Sequence, residues 1–242
     1  MKIFNTAILA VCLAWLSMSP CQAYTVAQTK TNNVVLGTSF SITVTSTTST
    51  NFLVVSIWSN TVAANTLSVT DSASETWTST AASSASANLQ QTFYVGSCAS
   101  GVTSVTVHQT ASGASMVAIF REYASVGGSV ISAQKQATSS VNPATSGTST
   151  TTAGAGSLVV GVGSNDQHSA NTWTVGAGYS NFSQATVNYG GGTGNIMIED
   201  KSPGSLATQA ATFGNSNSAT TVVSCLFNPA TAAGQPNYVI VY

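Results

Sequence analysis

Apolar residues in this chain fall into short runs or alternate with Ser and Thr, and almost nowhere recur at helical spacing. After Val34-Val35-Leu36, the stretch "SFSITVTS" places Phe40, Ile42 and Val44 on one face and Ser41, Thr43 and Thr45 on the other, the pattern of a half-buried strand. "FLVVSIW" (Phe52–Trp58) is apolar at nearly every position and rich in β-branched residues, which predicts a strand covered on both faces. "LSVT" and "TWTS" flank "DSASE", a turn that Asp71 and Ser72 can fix by bonding nearby backbone amides. "QTFYVG", the alternating "VTSVTVHQ" and the buried run "SMVAIFREY" follow. Arg121-Glu122, a charged pair inside that last apolar run, is expected at a sheet edge, where charge discourages pairing with other chains. From Ala124 to Ala155 small polar residues dominate, and the alternation in "GSVISAQKQAT" predicts a strand crossing at a sheet edge.

The pattern then restarts. "SLVVGVGS" matches "FLVVSIWS", "NTWTVGAGYS" matches "ETWTSTAASS", "NIMIEDKSPG" matches "TFYVGSCASG", and "TTVVSCLF" matches "SMVAIFRE". Four matches in one order indicate a degenerate internal duplication, with half-repeats at approximately 34–124 and 147–228. Each half alone leaves a sheet face uncovered, and two halves packed face to face would bury both. The expected fold is therefore all-β: a two-sheet antiparallel, jelly-roll-like β-sandwich built from the two half-repeats, forming a single domain over 24–242 and ending in the strand "NYVIVY".

The N-terminus reads differently. Met1-Lys2, the uncharged run "IFNTAILAVCLAWLSM" and "SPCQA" form a secretory signal peptide over 1–23, cleaved after Ala23, so a secreted or cell-surface location is expected. No later stretch is apolar enough to span a membrane. Only 5% of the chain is charged, with five Lys and Arg against six Asp and Glu. No basic patch exists to neutralise phosphates, which argues against nucleic acid. So neutral a surface also repels itself weakly. Cys12 and Cys21 leave with the leader, and Cys98 and Cys225 can then pair as a disulfide in an oxidising compartment.

The segment "SVTDSASETWT" (Ser68–Thr78), with Leu53-Val54-Val55 before it and Phe93-Tyr94-Val95, Val105-Thr106-Val107 and Glu122-Tyr123-Ala124 after it, resembles a recurrent β-sandwich domain of secreted bacterial proteins. Leu158-Val159-Val160-Gly161 extends the resemblance into the second half. Membership would imply an extracellular sandwich with no agreed activity. Ser74-Glu75 stands where that family often has Gly-Asn, which suggests a different turn conformation.

Candidate chemistry is sparse. No nucleophile elbow of the form G-x-S-x-G occurs. Asp71, Glu75, Glu122, Asp166, Glu199 and Asp200 could supply paired carboxylates for glycoside hydrolysis, yet turn chemistry explains Asp71 and Glu75, and Asp200-Lys201 reads as a surface ion pair. Trp58, Trp77 and Trp173 read as core. The candidate ligand contacts are Tyr179 and Tyr189 in the Gly-rich loops "GAGYSNF" and "NYGGGTGN", with Asp166 and His168 in "SNDQHSAN". Neither a cofactor nor a metal is expected. The reading is a non-enzymatic binding or adhesion module of the cell surface or matrix, with neutral polysaccharide as a partner. Its alternatives are a self-associating structural subunit and, more remotely, a hydrolase.

Overall fold

The computed structural model describes residues 24–228 except 62–64, 86–87, 125, 127–132, 140–141, 150–151, 154–156, 168–171, 204–206 and 216–220. Residues 1–23, "NYVIVY" and His168 lie outside the described residues. The first half carries β1 (Thr25–Val34), β2 (Ser39–Thr43), β3 (Phe52–Ser59), β4 (Leu67–Asp71), β5 (Thr78–Ser79), β6 (Ser83–Ala85), β7 (Asn88–Val95), β8 (Ser104–Gln109) and β9 (Met116–Ala124). The second carries β10 (Ala133–Ser139), β11 (Ala144–Thr145), β12 (Thr152–Ala153), β13 (Leu158–Gln167), β14 (Trp173–Thr174), β15 (Ser180–Tyr189), β16 (Gly192–Lys201), β17 (Ala207–Thr208), β18 (Thr212–Asn215) and β19 (Thr221–Asn228). No helix occurs among the described residues, and so none long and apolar enough to cross a membrane.

The fold is an all-β antiparallel sandwich with more layers than the two expected. Two large sheets face each other at the centre, in the orders β1-β9-β3-β7-β5 and β10-β19-β13-β16-β15. A sheet of order β2-β8-β4 covers the outside of the first, and a smaller one of order β11-β18-β14 covers the outside of the second. Three apolar layers separate these four sheets, and β12 and β17 pair as a further two-stranded sheet. Phe52, Val54, Trp58, Ile119, Val160 and Ile196 belong to the central one. Leu53, Val55, Val69, Phe93, Val107 and Phe120 fill the first outer layer, and Val159, Trp173, Met197 and Phe213 the second. Because the central sheets are covered on both faces, β3 and β9 need apolar residues at odd and even positions alike, which is why their sequences do not alternate.

The four matched segment pairs fall on β3 and β13, on the Trp77 and Trp173 segments, on β7 and β16, and on β9 and β19, and the large strands of each pair stand at the same place in the two sheet orders. The central sheets oppose each other in reversed order, with β1 and β9 against β15 and β16, and β7 against β13. The residue-by-residue match of "FLVVSIWS" to "SLVVGVGS" is nonetheless off by one. It equates Leu53 with Leu158, but Leu53 faces the outer layer and Leu158 the central one. Equating Phe52 with Leu158 restores the faces, since a one-residue slip along a strand inverts every side chain.

β9 is not an edge strand, as Arg121-Glu122 had suggested; it lies between β1 and β3. Several of the edges are tied down by side-chain amides. Gln28 on β1 bonds both the amide and the carbonyl of Thr45 (2.9 and 2.8 Å), and Asn32 donates to the Ser41 carbonyl (2.7 Å). Asn33 on β1 reaches the Thr186 carbonyl on β15 (3.1 Å), and on the opposite flank Gln136 on β10 reaches the Ala81 carbonyl (2.8 Å).

"NYGGGTGN" is a hairpin rather than an open loop: Tyr189 pairs with Gly192 across a two-residue turn. Gly194 then lies under Trp58, and a Cβ there would overlap the benzo ring of the indole. Gly194→Ala is therefore expected to overpack the central layer and lower the unfolding free energy by roughly 1–3 kcal/mol, measured by urea denaturation.

Candidate functional site

The structure separates the residues singled out in the sequence. Tyr179 is not exposed. It belongs to the outer layer of the second half, donates its hydroxyl to the Ala210 carbonyl (3.0 Å), and carries the Lys201 ammonium 4.2 Å above its ring. Tyr189 ends β15, half-buried, with its ring against Trp58 and its hydroxyl donated to Asp166. Burial first, then this bond, push the Tyr189 phenol well above its ordinary value. Tyr189 and Asp166 are thus brought together, but as a clasp between β15 and β13 in which both polar groups are engaged.

The acidic side chains are spent within the fold. Asp71 accepts the amides of Ala73 (2.7 Å) and Glu75 (3.1 Å) and the indole of Trp77 (2.7 Å), which fixes the turn after β4 as expected. Ser74 in that turn has φ of 60°, so the left-handed conformation that suits Gly is present although Gly is not. Glu75 accepts from the Ala99 amide. Glu122 accepts from Gln28 (2.6 Å), from Asn51 (2.6 Å) and from the Thr48 amide (3.0 Å), so it anchors the segment after β2 to β9.

Asp200 does not pair with Lys201 at the surface. It is fully buried in the central layer, where Oδ2 lies 2.8 Å from Arg121 Nη1. Oδ1 accepts from Tyr24 and from Asn181, each at 2.7 Å. Arg121 spends its other donors on the Asn181 carbonyl (2.5 Å), Ser183 (3.0 Å) and Thr29 (3.3 Å). One ion pair therefore joins β1 and β9 of the first half to β15 and β16 of the second. Burial raises the Asp200 carboxyl, against the bonds from Tyr24 and Asn181 and the Arg121 charge, which lower it. Glu199, next along β16, faces the opposite layer and is also fully buried. Among the described residues no group of acidic, His and Cys side chains is placed to hold a metal.

The Cys98–Cys225 disulfide is corrected as well. Cys98 is a free, buried thiol in the first outer layer that donates to the Thr48 carbonyl (3.1 Å), whereas β19, which carries Cys225, runs in the other central sheet. Burial pushes the Cys98 thiol up, away from the reactive thiolate.

The outside of the β2-β8-β4 sheet is open to solvent. Its three strands are in register, so Ser39, His108 and Ser68 form one cross-strand row and Ser41, Thr106 and Thr70 the next. Thr43 and Ser104 begin a third row, and the Ser72 amide extends it by bonding the Ser104 carbonyl (3.1 Å). Every inward position of these rows' strands faces the apolar layer, and every outward one carries a hydroxyl except His108. Such positions repeat about 4.8 Å apart across strands and about 6.7 Å along them. Ser41 and Thr106 bond each other (2.8 Å), as do Thr70 and His108 (3.0 Å). The sequence shows the alternation within each segment; it does not show that the chain pairs them in the order β2-β8-β4, which alone makes a face.

Two measurements check these assignments. Asp200→Ala strands Arg121 in the central layer and is expected to cost roughly 3–5 kcal/mol in urea denaturation, while Arg121→Met combined with Asp200→Leu recovers most of the loss. Reductant is expected to leave the melting temperature unchanged, since the Cys98 thiol is unbonded. Comparison with family models, with curated proteins and with solved structures finds no match to this chain.

Proposed function

We propose that this chain is a secreted, non-enzymatic binding and adhesion module of the cell surface or extracellular matrix, and that it meets a neutral polysaccharide through the outer face of the β2-β8-β4 sheet. The observation that carries this reading is the register of that face: three paired strands present hydroxyls at every outward position but one, with no carboxylate or ammonium among the rows. A polyhydroxylated neutral chain can exchange its water hydrogen bonds for many such contacts at once, each weak and together selective against charged partners. The leader-like residues 1–23 and the resemblance to secreted bacterial sandwich domains support the location.

The hydrolase reading loses support because Asp71, Glu75, Glu122, Asp166 and Asp200 each accept hydrogen bonds that maintain turns, loops or layers. Self-association by strand pairing also loses support, since Gln28, Asn32, Asn33 and Gln136 occupy backbone groups along the sheet flanks. The mature protein is expected to co-sediment with an insoluble neutral glucan. Thr106→Lys, which places an ammonium at the centre of the face, should reduce the bound fraction at least tenfold with an unchanged melting temperature. Equal binding by the variant would refute the assigned face. Absence of binding across neutral polysaccharides would refute the partner, and filaments in electron microscopy would favour the structural-subunit reading instead.

A further inference from the structure

The second half secures its outer sheet through one buried acid. The Glu199 side chain projects from β16 into the layer that holds Trp173, Met197, Ala211 and Phe213. Its Oε2 accepts the Gly176 amide (2.7 Å) from the connection between β14 and β15. Its Oε1 has no hydrogen-bond partner, and neither has the indole nitrogen of Trp173 in the same layer. Gly161 on β13 and Gly176 leave room for the carboxyl, for a Cβ at either would come 2.9 Å from Oε1. The carbonyl and hydroxyl oxygens of Thr212 on β18 converge on the same side of the Gly176 α-carbon. Oε1 thus shares its surroundings with two further oxygens, of which only the hydroxyl carries a hydrogen. A negative charge there is served only by the Gly176 and Thr212 amides, against complete burial, whereas a proton on Oε1 would let an unpartnered acceptor donate to a neighbouring oxygen.

The charged and titratable neighbours are few. On its own strand they are Lys201, whose ammonium is over the Tyr179 ring, and Asp200, which faces the central layer and is paired with Arg121. The connection from β14 to β15 adds the Tyr179 phenol. The residues that β11, β13 and β18 contribute to this layer do not titrate: Ala144, Val159, Gly161, Gly163, Thr212 and Phe213.

We propose that Glu199 is a proton-operated latch: in its neutral form it clasps the β11-β18-β14 sheet and the turn from Gly176 to Tyr179 onto the five-stranded sheet, and its ionisation loosens them. The device is independent of the hydroxyl face, which lies on the other half. Burial is the main cause that pushes the Glu199 carboxyl from an ordinary 4.5 up to about 7, against the Gly176 and Thr212 amides, which lower it. A raised acid favours the closed form fully at pH values below its ordinary value, and that preference is lost as pH rises to about 7. The ratio of open to closed outer sheet should therefore grow by up to roughly 150-fold between about pH 4.5 and pH 8.

The chain has three glutamates, Glu75, Glu122 and Glu199, so carboxyl-labelled glutamate gives three resolvable carbon resonances by NMR. One of them, lost in Glu199→Gln, is expected to titrate near neutrality. Hydrogen exchange of peptides covering 173–179 and 207–215, corrected for the intrinsic rate, should lose at least tenfold in protection over the same pH range. Peptides from β3 and β9 should not change, and Glu199→Gln should make the outer-sheet protection indifferent to pH. If that variant does not fold, the wild-type resonance and exchange profiles decide by whether they move together. A Glu199 resonance that titrates below about pH 5, or outer-sheet protection that ignores pH, would overturn the latch.

Discussion

The ion pair between Arg121 and Asp200 constrains the whole arrangement. Neither residue can reach water: one projects from the middle of a four-layer stack in one direction and the other meets it from the opposing sheet. Removing two charges from water costs about as much as their attraction returns, so the pair is poor evidence for added stability. Its effect is on choice. Two apolar sheet faces can slide or rotate over one another at little cost, but only one placement brings Asp200, the Asn181 carbonyl and Ser183 together around the guanidinium. Tyr24, the first described residue, closes the same network from the other end of the chain. The halves are therefore specified as a pair by polar geometry and held together by the surrounding Phe52, Ile119, Val160 and Ile198.

Much of the fold was legible because burial writes itself into sequence. The unbroken apolar runs of β3 and β9 declared strands covered on both faces, and "SFSITVTS" declared one covered on a single face. Layer number was less legible. Two sheets suffice to bury one face each, and only the short β11, β14 and β18, two to four residues long, make the fourth sheet. Strands of that length carry too little periodicity to be seen. The one-residue slip between Leu53 and Leu158 has a similar origin: in strands apolar on both faces, the pattern no longer encodes which face is which.

The site was less legible than the fold. Tyr179 lies among glycines, a setting that predicts exposure, yet Gly176 is there to let Thr212 and Glu199 approach closely, not to loosen the chain. Gly194 likewise makes room for Trp58. A glycine that admits a neighbour and one that frees a loop look identical in one sequence. The buried place of Arg121 is hidden for a related reason: its partner lies 79 residues away, in the other half, and no local pattern announces it. The hydroxyl face depends on strand order, which no local pattern encodes, although each of its residues belongs to the polar half of an alternation.

The amide side chains that tie down the sheet flanks have a consequence for the environments this protein tolerates. Many proteins keep their edges apart with lysines and glutamates, and that protection fades as dissolved ions screen it. Here Gln28, Asn32, Asn33 and Gln136 engage backbone groups of Thr45, Ser41, Thr186 and Ala81 directly, with contacts that involve no net charge. Dissolved ions screen charges, so contacts of this kind keep their strength in fresh water and in brine alike.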